Sequence, residues 1–463
     1  MKRFAIRTYG CQMNQHDTEK VSNLLHHAGW RPAAHEGQAD LVVVNTCSIR
    51  AKAEHRLYSD LGLLGAWKAH VPGRLLGVGG CVAQQEGDEI LRRFPQVDFV
   101  FGTHNVRLVP ELVAAAEEGE RQVRREEVRS LARFDLPERH PAWAGASPGR
   151  AFVTVMEGCD MFCTFCIVPR TRGREISRPA DAIAAEVETL ARRGVREITL
   201  LGQTVNAWGR RQGGGFAALV RGLAAIPGLE RIRYTSPHPV FFEEDLVRAH
   251  GELPNLCPHV HLPLQSGSDA VLVRMRRRHT ADDFRRLVEA LRRARPDVAL
   301  TTDLIVGFPG EGDADFRATL DLVAETRFVD GYSFKYSPRP GTRAADFAGQ
   351  VPGEVAQARL EALQALLRSL TLAAHRARVG QRTRVLVEGE SRRGGQRSGR
   401  DPYHRVVNLP ASAARPGDLV PVRIVEATPH SLIGEVEVKE SARWADERGE
   451  EVGPGSRTGS FAA

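Results

Sequence analysis

Six of the seven cysteines fall into two sets placed as metal ligands would be. The denser set is Cys159-Asp-Met-Phe-Cys163-Thr-Phe-Cys166, which follows an apolar run at 151–155 and stops short of Pro169. Three thiolates on a four-iron cluster leave one iron without a protein ligand, whereas four-cysteine patterns supply every iron. An open iron can chelate the amino and carboxylate groups of S-adenosylmethionine. An electron then cleaves the sulfonium to a 5′-deoxyadenosyl radical, chemistry owned by the cofactor and shielded by the protein. Zinc is the alternative; it wants a fourth ligand at short spacing, and no Cys or His follows before His238.

The second set is dispersed. Tyr9-Gly-Cys11, Asn45-Thr-Cys47 and Gly79-Gly-Cys81 each lie just past an apolar run, at Phe4–Ile6, Leu41–Val44 and Leu75–Val78. The spacings of 36 and 34 residues are about one βα repeat apiece. Open α/β sheets bind ligands at the carboxyl ends of their strands, so three distant thiols can converge on one sheet edge. Three buried cysteines acting as small hydrophobes are the competing explanation. Cys257 has no partner at metal spacing and reads as structural.

The elements that must position these groups alternate strand and helix, which makes the chain an α/β protein. Residues 1–120 form a parallel-sheet α/β domain, and 121–149, charged and then rich in Pro, Gly and Ala, a linker. Residues 150–378 carry six strand–helix units, expected as an open or partial (β/α) barrel. Their strands are Ala151–Val155, Glu197–Leu201, Ile232–Thr235, His259–Leu262, Ala299–Val306 and Gly331–Tyr336, and a long amphipathic helix over Val355–Arg378 closes the unit. Residues 379–440 change to short alternating strands, Thr383–Glu388, Arg405–Leu409, Leu419–Ala427 and Leu432–Val438, which suits a small all-β barrel. Residues 441–463 are polar and Gly-rich and are expected to be disordered.

At 463 residues, 42% hydrophobic and 26% charged, the chain has the composition of a soluble multidomain protein. No apolar run reaches the length of a bilayer span, and the N-terminus lacks a secretory h-region. A cytoplasmic location is expected, where clustered cysteines are ligands or redox groups and not disulfides. Gly77-Val-Gly-Gly80 is no dinucleotide fingerprint, and no Walker lysine motif exists, which excludes an NTPase or a dehydrogenase.

Gln203, Asn206, His238, Gln265 and Asp303 fall at or beyond strand ends of the central unit, where such barrels expose functional groups. Gln203 and Gln265 are candidates for hydrogen bonds to the ribose or amino-acid part of the cofactor. Gly307 is a candidate for close backbone approach to adenine, and His238 reads as a turn histidine. The run Arg274-Met-Arg-Arg-Arg-His279 fits either a phosphate grip or a solvated helix end.

The cysteine string with an aromatic before its last Cys (Phe165) resembles the radical S-adenosylmethionine superfamily, in which that aromatic packs near adenine. The longer string Val155–Pro179, Leu201-Gly-Gln-Thr-Val-Asn206, His261–Ser268 and Asp303–Glu311 resemble its methylthiotransferase branch. Thr8-Tyr-Gly-Cys-Gln-Met-Asn14, Asn45–Arg50 and Gly79-Gly-Cys-Val-Ala83 resemble that branch's auxiliary-cluster domain. The resemblance spans about residues 3–440. It implies two [4Fe-4S] clusters, one on Cys159, Cys163 and Cys166 with S-adenosylmethionine, the other on Cys11, Cys47 and Cys81, whose open iron carries the sulfur to be inserted. The last unit resembles a TRAM domain, a small RNA-binding module. From Arg376 to Arg405 it has nine Arg against Glu388, Glu390 and Asp401, an imbalance that attracts phosphate without reading sequence. Candidate RNA contacts are Arg382, Arg384, Arg400, Tyr403 and Arg405, with His404 beside Tyr403 for stacking; an ordinary solvated β-surface is the alternative.

Within the branch, the 8–14 and 45–50 strings and Tyr336-Ser-Pro-Arg-Pro-Gly-Thr342 look like the enzymes that modify tRNA. The implied reaction inserts a methylthio group at the 2-carbon of N6-isopentenyladenosine at position 37, which must leave the anticodon-loop stack. The implied partners are tRNA and an electron-donor protein, and a monomer is expected. Gly399–Asn408 departs from the usual string of that segment, and Arg170 stands where an aromatic is common. A ribosomal-protein modifier and a non-enzymatic iron–sulfur RNA-binding protein are the other readings.

Overall fold

The computed structural model describes residues 1–48, 51–141, 148–391, 394–412 and 414–437. The first sheet is parallel throughout, built from β1 (Arg3–Thr8), β2 (Arg31–Pro32), β3 (Leu41–Thr46), β4 (Leu75–Gly80), β5 (Phe99–Phe101) and β6 (Gln122–Arg124) in the order β2-β1-β3-β4-β5-β6. Helices α1 (Gln12–His27), α2 (Ala51–His70), α3 (Cys81–Arg93) and α4 (Val109–Glu117) make the connections. β3 and β4 are buried at every residue, as central strands of a sheet covered on both faces must be. Three of the six strands are two or three residues long, too short to show periodicity in the sequence. One of these, Gln122–Arg124, lies in the stretch expected as a linker.

The central unit opens with β7 (Arg150–Thr154), then a small hairpin pair, β8 (Met156–Glu157) and β9 (Ile176–Ser177), with α5 (Val168–Thr171) between them. It continues as α6 (Ala180–Arg192), β10 (Glu197–Leu201), α7 (Phe216–Ala224), β11 (Arg231–Tyr234), α8 (Glu244–Glu252), β12 (His259–His261), α9 (Asp269–Met275), α10 (Ala281–Ala294), β13 (Ala299–Val306), α11 (Asp313–Thr326), β14 (Asp330–Lys335) and α12 (Gly353–Arg376). The parallel sheets β11-β10-β7 and β12-β13-β14 are joined where Ile232 bridges Leu256, just ahead of β12. The result is the expected six-stranded open (β/α) barrel.

The third unit is a closed barrel, β15 (Arg382–Glu390), β16 (Gln396–Arg400), β17 (Val406–Pro410), β18 (Leu419–Ala427) and β19 (Leu432–Val436), in the order β15-β16-β17-β19-β18. Four of its strands were legible in the sequence. Gln396–Arg400 was not: its only buried residue is Gly399, which leaves no apolar alternation to read. The expected tail at 441–463 lies outside the described residues. No helix among the described residues is long and apolar enough to cross a membrane.

Candidate functional site

β1, β3 and β4 are neighbours in the sheet, so residues just past their carboxyl ends lie about 5 Å apart from strand to strand. Those residues are Cys11, the N-cap of α1; Cys47, next after β3; and Cys81, the first residue of α3. Gly80 makes the last turn feasible: its φ is 96°, and a Cβ there would stand 2.3 Å from the Thr46 carbonyl oxygen. Two asparagines lock the edge. Asn45 Nδ2 donates to the Asn14 carbonyl at 2.8 Å, and Asn14 Nδ2 donates to the Thr46 carbonyl at 3.1 Å. Asn14 Oδ1 accepts from the Cys11 thiol at 3.3 Å. Both asparagines lie within three residues of the cysteines whose edge they hold.

The three thiols share hydrogen bonds. A bond from Cys47 holds the Cys11 thiol down to about 6 and the Cys81 thiol down to about 7, against burial and with help from the Arg172 charge. Cys47 itself is pushed up. As the side chains stand, no group of three His, Cys, Asp or Glu among the described residues is drawn up around one metal ion. The auxiliary set is instead a trio of thiols in contact, two of them inclined to ionise, with no carboxylate or imidazole among them. That donor chemistry suits an iron–sulfur cluster.

The second trio follows β7. Cys159 and Cys163 are buried, and with Met161 they pack against Phe165, Cys166, Val168 and Phe241. Cys159 Sγ lies 3.0 Å from Thr204 Oγ1, just past β10. The loop is pinned from several sides: Thr164 N and Oγ1 donate to the carbonyls of Met275 (3.1 Å) and Arg274 (2.8 Å), and Cys166 N to that of Cys163 (3.0 Å). Burial pushes the Cys159 and Cys166 thiols up. The Arg277 charge opposes this at Cys166, and its guanidinium donates to Cys163 Sγ at 3.7 Å and to the Pro263 carbonyl at 2.8 Å.

Arg277 corrects the reading of the 274–279 run. Positive φ at Arg276 (58°) and Arg278 (59°) turns the intervening guanidinium inward, where it is buried beside the cysteines. Several polar atoms near this trio are buried without a partner: Gln203 Nε2, Arg277 Nε, His238 Nε2 and His279 Nε2. Orphaned groups of this kind fit a site built to receive a polar ligand.

The candidate cofactor contacts divide. Phe165 stands edge-on to Phe308 at 6.5 Å and joins an apolar wall with Tyr336 and Phe347. Gln203 accepts from the Gly158 amide, holding the turn into Cys159, and leaves its own amide nitrogen open. Gln265 has φ 71° and lies between β12 and β13, with its backbone bonded to Asp303 and Ile305. Gly307 has φ 71°, but the space beside it is taken by Ala356, whose Cβ would stand 2.7 Å from an added Cβ, and its amide donates to Glu311 at 2.9 Å. Asn206 exchanges two hydrogen bonds with the His238 backbone, and His238 caps a short 3-10 turn, in keeping with a turn histidine. Asp303 faces His261 Nε2 at 3.3 Å. Cys257 is buried and pushed up to about 11 by burial, as befits a structural thiol.

One thiol of each trio lies at the same two barrel strands. Cys11 packs with Met13 against Phe152 of β7 and Leu201 of β10, while Cys159 follows β7 and meets Thr204 beyond β10. A polar cavity of about 350 Å³ lies at the junction of the three units, lined by Gln12, Phe152, Thr199, Tyr332, Arg400 and Arg405 among others.

The candidate RNA contacts sit mainly along the seam between the small barrel and the central unit. Arg384 pairs with Glu230 at 2.6 Å and Arg400 with Glu388 at 3.3 Å. Tyr403 donates to Asp297 at 2.7 Å, with the Arg378 guanidinium 4.1 Å above its ring. Arg405 is buried and donates to the Val329 carbonyl. Arg382 is exposed and pairs with Glu437. His404 stacks on His259 at 5.2 Å.

Three family models match in chain order: an uncharacterised protein family, UPF0004, at 3–102; the radical SAM superfamily at 153–323; and the TRAM domain at 376–436. Relatives named tRNA-2-methylthio-N(6)-dimethylallyladenosine synthase match nearly end to end. That of Geobacter metallireducens is 48% identical over 94% of this chain and 99% of its own. That of Cereibacter sphaeroides (strain ATCC 17029) is 49% identical over 94% and 98%. The chain belongs to this synthase family. Among solved structures, the radical S-adenosylmethionine methyltransferase TsrM from Kitasatospora setae, at 14% identity and TM-score 0.57, covers 74% of each chain and shares the fold alone. Membership in the synthase family agrees with the resemblance drawn from the cysteine strings and the central barrel.

Proposed function

We propose that this chain converts N6-isopentenyladenosine (N6-dimethylallyladenosine) in tRNA to its 2-methylthio derivative, as the printed names of its relatives describe. The observation that carries the reading is the placement of Cys11 and Cys159, one thiol from each trio, at the same pair of strands, β7 and β10. A reaction that joins a radical step to sulfur delivery needs its two metal groups within reach of one substrate atom.

Cys159, Cys163 and Cys166 would hold the cluster that binds S-adenosylmethionine, and Cys11, Cys47 and Cys81 the auxiliary cluster. When bound, these groups supply the cleavage of the cofactor and the sulfur for insertion. The chain's own residues do the positioning. Gln203 fixes the turn into Cys159 and offers its amide nitrogen to the cofactor. Phe165 and its aromatic neighbours offer adenine an apolar wall. Arg277 places a positive charge beside Cys163. The three-way cavity is the place for the extruded nucleoside. Arg400 and Arg405 line it, Arg382 and Arg384 offer charge outside it, and Tyr403 holds the seam. A cytoplasmic, monomeric enzyme served by an electron-donor protein completes the reading.

The test is anaerobic reconstitution with dithionite, S-adenosylmethionine and isopentenylated tRNA, followed by nucleoside mass spectrometry. The 2-methylthio nucleoside should appear with 5′-deoxyadenosine. Deoxyadenosine alone would redirect the search to a ribosomal protein. Neither product, from protein carrying both clusters, would leave an iron–sulfur RNA-binding protein.

A further inference from the structure

A buried cation stands across the domain boundary from the auxiliary trio. Arg172 belongs to the central unit, directly after α5, and α5 packs on α3, the helix that begins with Cys81. Arg172 is only 3% exposed. Its Nη2 donates at 2.6 Å to Asp17 Oδ2, in the helix capped by Cys11. Its Nη1 is buried with no hydrogen-bond partner. A buried charged donor left without a hydrogen-bond partner is costly, so a fold that keeps one invites a ligand.

Asp17 pairs with it, but Asp17 and Glu157 are shared with two further cations. Lys20 Nζ already lies 3.5 Å from Asp17 and 3.0 Å from Glu157, and Arg133 Nε lies 3.8 Å from Glu157. The Arg172 charge is felt at Cys11 and Cys81 alike. The group is too enclosed for an RNA phosphate or a peptide to reach it.

We propose that Arg172 is the anion-holding residue of the auxiliary site, its free Nη1 donating to a small anionic sulfur species, hydrosulfide or polysulfide, held beside Cys11 and Cys81. This rests on the cluster reading of that trio. It makes Arg172 a positioning residue supplied to one domain's metal group by another domain.

The test uses the full chain with Cys159, Cys163 and Cys166 each changed to alanine, so that reconstitution loads the auxiliary cluster alone. Sodium sulfide is titrated anaerobically while the cluster's electron paramagnetic resonance signal is followed. Arg172→Gln should keep its iron and bind sulfide about tenfold or more weakly, and Arg172→Lys should recover part of the loss. Asp17→Asn/Arg172→Gln, which leaves no stranded carboxylate, gives the same reading if the single variant folds poorly. Unchanged sulfide affinity in either glutamine variant with full iron would overturn the proposal. So would loss of iron in both while Arg172→Lys matched the parent, since Arg172 would then be a structural charge. A parent that took up no iron would overturn the cluster reading itself, and this proposal with it.

Discussion

Single side chains carry most of the chemistry, and the cysteines were legible because metal ligands depend on residue type and spacing. Their partners were not. Asn14 and Asn45 lie in the same strings, but what they bond is fixed by the adjacency of β1 and β3, which no local pattern states. Arg277 was one arginine among four, and only the positive φ on either side tells which one turns inward. Two predictions belong at this scale. Cys81→Ala should lose about half the reconstituted iron and all methylthiolation while still releasing 5′-deoxyadenosine, whereas Cys163→Ala should lose that release as well; iron assay with product analysis separates them. Asn45→Ala removes the two hydrogen bonds that Nδ2 donates and should cost about 1–3 kcal/mol in denaturant unfolding of the cluster-free protein.

Elements were readable where burial wrote a pattern. β3, β4, β10 and β13 are long and apolar enough to stand out, while β2, β5, β6 and β16 are short or polar and exist because neighbouring strands offer them a ladder. Two histidines in or beside helices contribute to the pH response. His250 Nε2 in α8 shares a hydrogen bond with the Tyr234 hydroxyl at 2.6 Å, and burial pushes it down to about 3; His279, between α9 and α10, is pushed down by burial to about 4. Both are neutral when folded, and the unfolded chain binds their protons first. Their contribution is therefore full above the unfolded value near 6.5 and falls as the pH drops toward 4, by about 1.4 kcal/mol per pH unit per group. Urea midpoints measured from pH 7.5 to 4.5 should decline accordingly. His279→Phe, which puts a ring of similar breadth beside Phe284, should flatten part of that slope. An unchanged slope in the variant would remove His279 from the account.

At the scale of the whole molecule, the order of the three units could be read along the chain, but their docking could not. Docking uses backbone carbonyls and buried ion pairs that composition does not announce. The seam under the small barrel shows this most clearly. Arg231 donates to the Arg400 carbonyl at 3.0 Å and also to that of Arg384, and Arg233 to the carbonyls of Pro402 (2.9 Å) and Asp401 (2.7 Å). One carboxylate, Glu197 at the start of β10, holds both guanidiniums at 3.3 and 3.0 Å, and all three side chains are buried. Burial works against its charge, but Arg233 and Arg231 keep its carboxyl below the usual range. Removing one partner of such a group strands the others, at a cost of about 3–5 kcal/mol. Glu197→Ala should therefore loosen the barrel before it disturbs the cysteine trios, which lie at the opposite ends of the strands. Limited proteolysis should cut near 377–381 faster than in the parent, and tRNA affinity should fall while tRNA-independent release of 5′-deoxyadenosine persists. Equal loss of tRNA binding and of that release would mean that Glu197 supports the central fold as a whole and not the docking of the barrel.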